Sequence, residues 1–231
     1  MMRTEDKTRM TEGSISRKII LFAIPLFLGN LFQQLYNTAD SLIVGNYLGS
    51  NALAAVSSSG NLIFLMVGFI NGIAMGAGVV IARYYGAKDK ENLEKSIHTT
   101  VAFGIAAGIA LTVIGMLLAP KILVLMGTPD DVIDLAVLYL RIYFLGMPFI
   151  LLYDFCSSIL RSTGDSRRPL YALIAAGVIN TGLNLILVIA FHLGVSGVAI
   201  ATVVSNIVSS GILIYILLHE DDPIRLEPKA L

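Results

Sequence analysis

The sequence predicts an all-α integral membrane fold of six transmembrane helices, with both termini in the cytoplasm. Three observations lead there. Of the 231 residues, 56% are hydrophobic and only 14% are charged, against roughly 25% charged in an average soluble domain. Asp, Glu, Lys and Arg are absent from residues 19–39, 41–82, 96–120 and 169–219; about 20 apolar residues cross a bilayer, so the last of these windows is long enough for two spans. Finally, every Lys and Arg except Lys121 and Arg141 falls on the side shared by the two termini once six spans are drawn, and positively charged loops stay in the cytoplasm. This composition excludes a water-soluble enzyme. Basic and acidic residues balance at 16 each, leaving no net basic field to gather nucleic acid.

The elements follow in order. A cytoplasmic segment, residues 1–18, ends in an amphipathic lead-in at 13–18. The first span, 19–45, follows a basic stretch as a signal peptide would, but Gln33, Gln34 and Asn37 stand where a small-residue cleavage site belongs, so it reads as a retained helix. The second span, 53–82, repeats Gly68, Gly72 and Gly76 at intervals of four, and the third, 97–118, repeats the interval with Gly104 and Gly108; such faces let helix backbones approach closely inside a bundle. Pro120 opens the break 120–131. The fourth span, 132–160, holds Pro148, as the first holds Pro25; each removes a backbone donor and can kink its helix, as a hinge or as a static bend. Spans five and six, 170–191 and 195–218, are separated by the turn His192-Leu193-Gly194, and residues 219–231 return to the cytoplasm. The lone Cys156 cannot form an intramolecular disulfide.

Chemistry centres on Asp40, the one acidic residue in an otherwise uncharged stretch from 19 to 82. Placing an Asp at a helix centre costs roughly 2.5 to 3.5 kcal/mol on insertion scales, which makes an intramembrane carboxylate a functional candidate. Asn30, Gln33, Asn37, Asp40 and Ser41 fall at helical spacings and draw one polar stripe. A carboxylate held from water can take up a proton, and one backed by further oxygens can hold a small hard cation. Neutral oxygens are available from Asn180 and Asn184, one turn apart on span five, and from Thr202, Ser205, Asn206 and Ser209 on one face of span six. Arg141 and Asp154 on span four are too far apart to pair and read as boundary anchors. Tyr139, Tyr143 and Tyr153 read as interfacial belts, and His98, His192 and His219 as interface residues at span ends. HExxH, GxSxG, CxxC and Walker motifs are missing, so no enzymatic activity is expected.

Taken together, AIPLFLGNLFQQLYNTADSLIVGNYLG, NALAAVSSSG, GIAMGAGVVIARYYGAKD, RSTGDSRRPLYA and GVSGVAIATVVSN resemble the amino-terminal lobe of the multidrug and toxic compound extrusion (MATE) transporters, from about residue 13 to the C-terminus. The resemblance implies one six-helix lobe of a twelve-span, two-lobed antiporter that works by alternating access, exporting cationic amphipathic compounds against entering Na+ or H+. The tail DDPIRLEPKAL resembles the segment that joins the lobes, so the second lobe would be a separate chain or a second copy. Asp40 matches the family's acidic position in the first helix. Asn180, Asn184 and Thr202 match positions that in some members join that acid around a cation, although those members carry an acid where Asn184 stands. The expected H+ or Na+ site is therefore Asp40, Asn180, Asn184 and Thr202, with Gln33, Asn37 and Asn206 in the substrate cavity and no cofactor beyond the coupling ion. Expected partners are membrane lipid, a small organic cation and the second lobe, without nucleic acid, at the plasma (inner) membrane. Rival expectations are a transport-inactive half-transporter that only binds partners, and a lipid-linked sugar flippase.

Overall fold

The computed structural model describes residues 15–220 and 224–227, so most of the 1–18 segment and part of the 219–231 tail lie outside the described residues. The described chain is helical: α1 (Ile15–Tyr47), α2 (Ser50–Ala87), α3 (Lys90–Leu125), α4 (Ile133–Leu145), α5 (Met147–Ser162), α6 (Arg167–Leu185) and α7 (Val195–Leu218). Five of these are long and apolar enough to cross a membrane, and α4 with α5 supplies a sixth span bent by 49°. The expected six spans are therefore present. The last coincides with residues 195–218; the second and third run further than expected, because α2 and α3 continue through most of the residues between the expected spans and meet at a tight turn. Lys88 takes the left-handed conformation there at φ 58°. Asp89 then caps α3, accepting from the Asn92 backbone N–H at 3.2 Å and from Asn92 Nδ2 at 2.7 Å. Pro120, expected to end the third span, sits inside α3, which continues to Leu125.

The bend in the fourth span has a chemical origin. Pro148 has no N–H to offer the carbonyl of Phe144 one turn earlier, and the helix breaks at Gly146 between them. The freed carbonyl is satisfied from another helix: Thr112 Oγ1 of α3 donates to Phe144 O at 2.7 Å. α3 comes this close because it presents glycine. A Cβ on Gly108 would stand 2.5 Å from Pro148 Cα, and one on Gly115 would stand 2.2 Å from the Phe144 ring. Gly104 likewise receives Phe155, whose ring packs edge-on against Phe103 at 5.8 Å. α1, by contrast, runs through Pro25 as one helix, and Ser166 Oγ from the α5–α6 turn donates to Phe22 O beside it at 3.0 Å.

The glycine expectation holds for Gly104 and Gly108 and fails for Gly68, Gly72 and Gly76. Those three are exposed, with nothing within 4 Å of where their Cβ atoms would stand. The close approach on α2 is made instead by Gly78, against Ser158, whose hydroxyl donates to Ala74 O at 2.5 Å. A four-residue interval marks a face of a helix without saying what covers it.

Two apolar clusters fill the interior. One joins Val44, Ala55, Ala74, Leu123, Leu140, Phe144, Leu151 and Val198. The other joins Ile81, Ile97, Cys156, Ile159, Leu213 and Leu217 with Ile224 and Leu226 of the tail. The tail is tied down by Leu226 N–H on Leu217 O at 2.9 Å and by Glu227 N–H on His98 Nε2 at 3.0 Å. His98 is therefore buried and holds the tail, where the sequence placed it at the membrane interface. Tyr139 and Tyr143 are also buried, their rings 6.3 Å apart, and form no interfacial belt; α2, α3 and α7 pack around α4 and enclose that face.

Candidate functional site

The site forms where α1 lies along α6. Gly177 favours the approach, since a Cβ there would stand 3.3 Å from the Tyr36 ring, while Gly29 faces Leu173 at an ordinary contact distance of 3.6 Å. Tyr36 precedes Asp40 by one helical turn, so the contact that seats Tyr36 on α6 also turns Asp40 toward it. On α6, Asn180 and Asn184 are one turn apart and both buried, at 1% and 0% exposure. Directly after Asn184 the helix widens into a π segment, Ile186–Ala190, a local irregularity that recurs at functional sites. The chain then reverses through His192 and Gly194, both at positive φ, and α7 returns along α6 carrying Thr202.

Hydrogen bonds join four side chains from three helices. Asn184 Nδ2 donates to Asp40 Oδ1 at 2.5 Å and to Asn180 Oδ1 at 3.2 Å. Asn180 Nδ2 donates to Thr202 Oγ1 at 3.4 Å, and Thr202 Oγ1 donates to Val198 O at 3.1 Å. The donor that meets Asp40 is the Asn184 amide N–H, which Asp40 Oδ1 accepts. One acceptor is left over: Asn184 Oδ1 is buried and has no hydrogen-bond partner among the described residues. A buried unpaired amide oxygen costs about 1–3 kcal/mol, and it stands on the side chain that touches Asp40.

The structure thus brings together Asp40, Asn180, Asn184 and Thr202. Their oxygens form a hard donor set of one carboxylate, two amides and a hydroxyl, suited to a proton or a small monovalent cation. Among the described residues no three His, Cys, Asp or Glu side chains cluster, so a thiolate or imidazole metal site has no counterpart there. The other polar candidates lie apart. Gln33 and Asn37 are exposed on α1; Gln33 Nε2 donates to Tyr36 Oη at 3.4 Å, and Asn37 O accepts from Ser41 Oγ at 3.0 Å. Asn206 is half-buried and donates to Thr202 O at 2.8 Å. Ser205 and Ser209 donate to carbonyls of their own helix, at 2.8 and 3.1 Å. An apolar cavity of ≈ 590 Å³ between α2, α3 and α5, lined by Leu65, Phe69, Phe103 and Phe155, contains none of these groups.

Asp154 is where the sequence reading misplaced a charge. Expected as a boundary anchor, it has its Oδ2 buried and without a hydrogen-bond partner among the described residues. The bend at Gly146 redirects α5 into the bundle, which the spacing along a straight span could not reveal. Arg141, by contrast, is exposed.

Residues 25–186 match the family profile described as MatE. In sequence the chain is 39% identical over 223 residues to the probable multidrug resistance protein YoeA of Bacillus subtilis, which covers 95% of this chain and 48% of that protein. In structure it superposes with a TM-score of 0.90 and 26% identity on the outward-facing conformation of a multidrug resistance MATE family transporter of the MOP superfamily, covering 99% of this chain and 51% of that one. A MOP superfamily transporter from Pyrococcus furiosus superposes equally well, at 0.90 with 27% identity over 99% of this chain and 50% of that one. The chain spans about half the length of the relatives it matches.

Proposed function

The chain belongs to the MatE family of multidrug transporters, and we propose that it forms one lobe of a secondary antiporter that exports cationic amphipathic compounds in exchange for H+ or Na+ taken up at Asp40. It is a multi-pass membrane protein, in bacteria one of the plasma membrane. The observation that supports an exchange role is the hydrogen bond from Asn184 to Asp40, because it ties the carboxylate of α1 to an amide of α6 that carries an idle acceptor of its own.

The chemistry follows from that amide. While Asp40 is charged, the Asn184 amide N–H₂ faces it. When Asp40 takes a proton it becomes a donor, and half a turn of the Asn184 amide presents Oδ1 to receive it. The same turn withdraws the N–H from Asn180 and so reaches Thr202 on α7. Na+ would be held by the same oxygens, of Asp40, Asn184, Asn180 and Thr202. Ion binding at α1 is in this way felt at α6 and α7, the movement that coupling requires: an ion with equal affinity for the inward-open and outward-open states shifts neither.

A second lobe completes the transporter, since the matched relatives are about twice as long. Six spans return the chain to its starting side, so a second lobe inserts in the same orientation, as parallel repeats require. The test is efflux of a fluorescent organic cation from cells that express the chain with a second lobe. Gradient-driven efflux is expected to be lost in Asp40→Asn and kept in Asp40→Glu at matched membrane abundance. Efflux by Asp40→Asn at the wild-type rate would exclude Asp40 as the coupling residue.

A further inference from the structure

Besides Asn184 Oδ1, the buried side-chain atoms without hydrogen-bond partners among the described residues are Asp154 Oδ2, Ser157 Oγ and Arg161 Nε. These three share one helix and one face, at positions i, i+3 and i+7 of α5. Ser157 is 1% exposed. Each atom left so costs free energy, most of all the charged carboxylate. Asp154 and Arg161 make no direct ion pair, although Arg161 is the cation whose field reaches the carboxylate. The hydrogen-bond relay around Asp40 includes none of them.

We propose that Asp154, Ser157 and Arg161 form a second proton-exchange site inside the lobe, separate from Asp40 and served from the cytoplasmic end of α5. The chemistry is balanced in both states. Ser157, one turn along the same face and not bonded to Asp154 in the structure, can turn its hydroxyl to donate to charged Asp154, whose charge Arg161 offsets. Protonated Asp154 donates to the same hydroxyl, because serine can do either. The proton comes from and returns to water at the end of α5, where Arg161 occupies the last turn and where the Lys and Arg distribution places the cytoplasm. The groups acting electrostatically with Asp154 are Arg161 and Tyr153 of its own helix, Tyr36 from α1 and Tyr143 from α4. Among the described residues the charged side chain whose field acts on Asp154 is Arg161.

Dicyclohexylcarbodiimide, which modifies protonated carboxyl groups in apolar surroundings, tests this on the full purified chain, with peptide mapping by mass spectrometry across pH. Asp154 is expected to label at acidic pH and to lose labelling as pH rises, and to do so equally in Asp40→Asn. Arg161→Gln should raise its labelling at a given pH about tenfold, the effect of removing a unit charge about 10 Å away at an effective dielectric constant near 20. Arg161→Lys should label like wild type. Absence of labelling at every pH, labelling independent of pH, or no response to Arg161→Gln would overturn the proposal. Should Arg161→Gln not fold, the wild-type pH profile alone decides it. Labelling of Asp154 with none at Asp40 would sink the Asp40 reading and leave this one standing.

Discussion

Changing Asn184 to Asp turns the candidate site into a quantitative test. Asn184 Nδ2 lies 2.5 Å from Asp40 Oδ1, so a cation bridging the two side chains would sit within about 4 Å of a carboxylate placed at position 184. One unit charge at that distance contributes about 4 kcal/mol at an effective dielectric constant of 20, and each 1.4 kcal/mol is a tenfold change in affinity. Asn184→Asp is therefore expected to raise Na+ affinity by up to about a thousandfold at alkaline pH. The gain shrinks as pH falls, because two adjacent carboxylates hold a proton between them that competes with the ion. Radioactive Na+ binding to the detergent-purified chain, measured from pH 6 to pH 9 on wild type and variant, reads this directly. Equal Na+ affinity of the two proteins at every pH would refute the reasoning, since it would mean that no cation comes within reach of Asp40 and residue 184 together.

Other predictions follow from packing and capping. Gly108→Ala and Gly115→Ala each drive a methyl group into Pro148 or Phe144 and should lower stability by about 1–3 kcal/mol, whereas Gly72→Ala, with open space around it, should leave the thermal unfolding of the purified chain unchanged. Asn92 holds the Asp89 carboxyl below the usual carboxylate range through its side-chain and backbone N–H groups. The α3 cap is thus intact at neutral pH and above and is lost as pH falls through that lowered value. Hydrogen exchange of the first turn of α3 should accelerate in acid, and Asp89→Ala should show the fast rate at every pH.

Much of this architecture was legible in the chain because its signals are one-dimensional. Charge-free length marks a span, and the basic loops mark its orientation. Asp40 stands out because nothing else in its stretch is charged, and Asn180 with Asn184 stands out because two amides one turn apart must share a face. What pairs with what is three-dimensional and was less visible. The interval of Gly68, Gly72 and Gly76 is the same as that of Gly104 and Gly108, yet only the second pair meets a neighbour, because α4 and α5 bend into α3 there. Pro148 announced a kink but not that Thr112 would satisfy the carbonyl it frees. On a straight helix Asp154 falls near the end of its span, and the 49° bend between α4 and α5 removes that measure. The tail contact through His98 and Glu227 joins residues that no spacing connects.

The central claim is that Asp40 exchanges one cation for another. The direct measurement is proton release from the purified chain, in unbuffered detergent solution, on stepwise addition of Na+ or of a fluorescent organic cation. Wild type and Asp154→Asn should release protons as the added cation displaces them from Asp40, and Asp40→Asn should lose that share of the release. Undiminished release from Asp40→Asn would contradict the account.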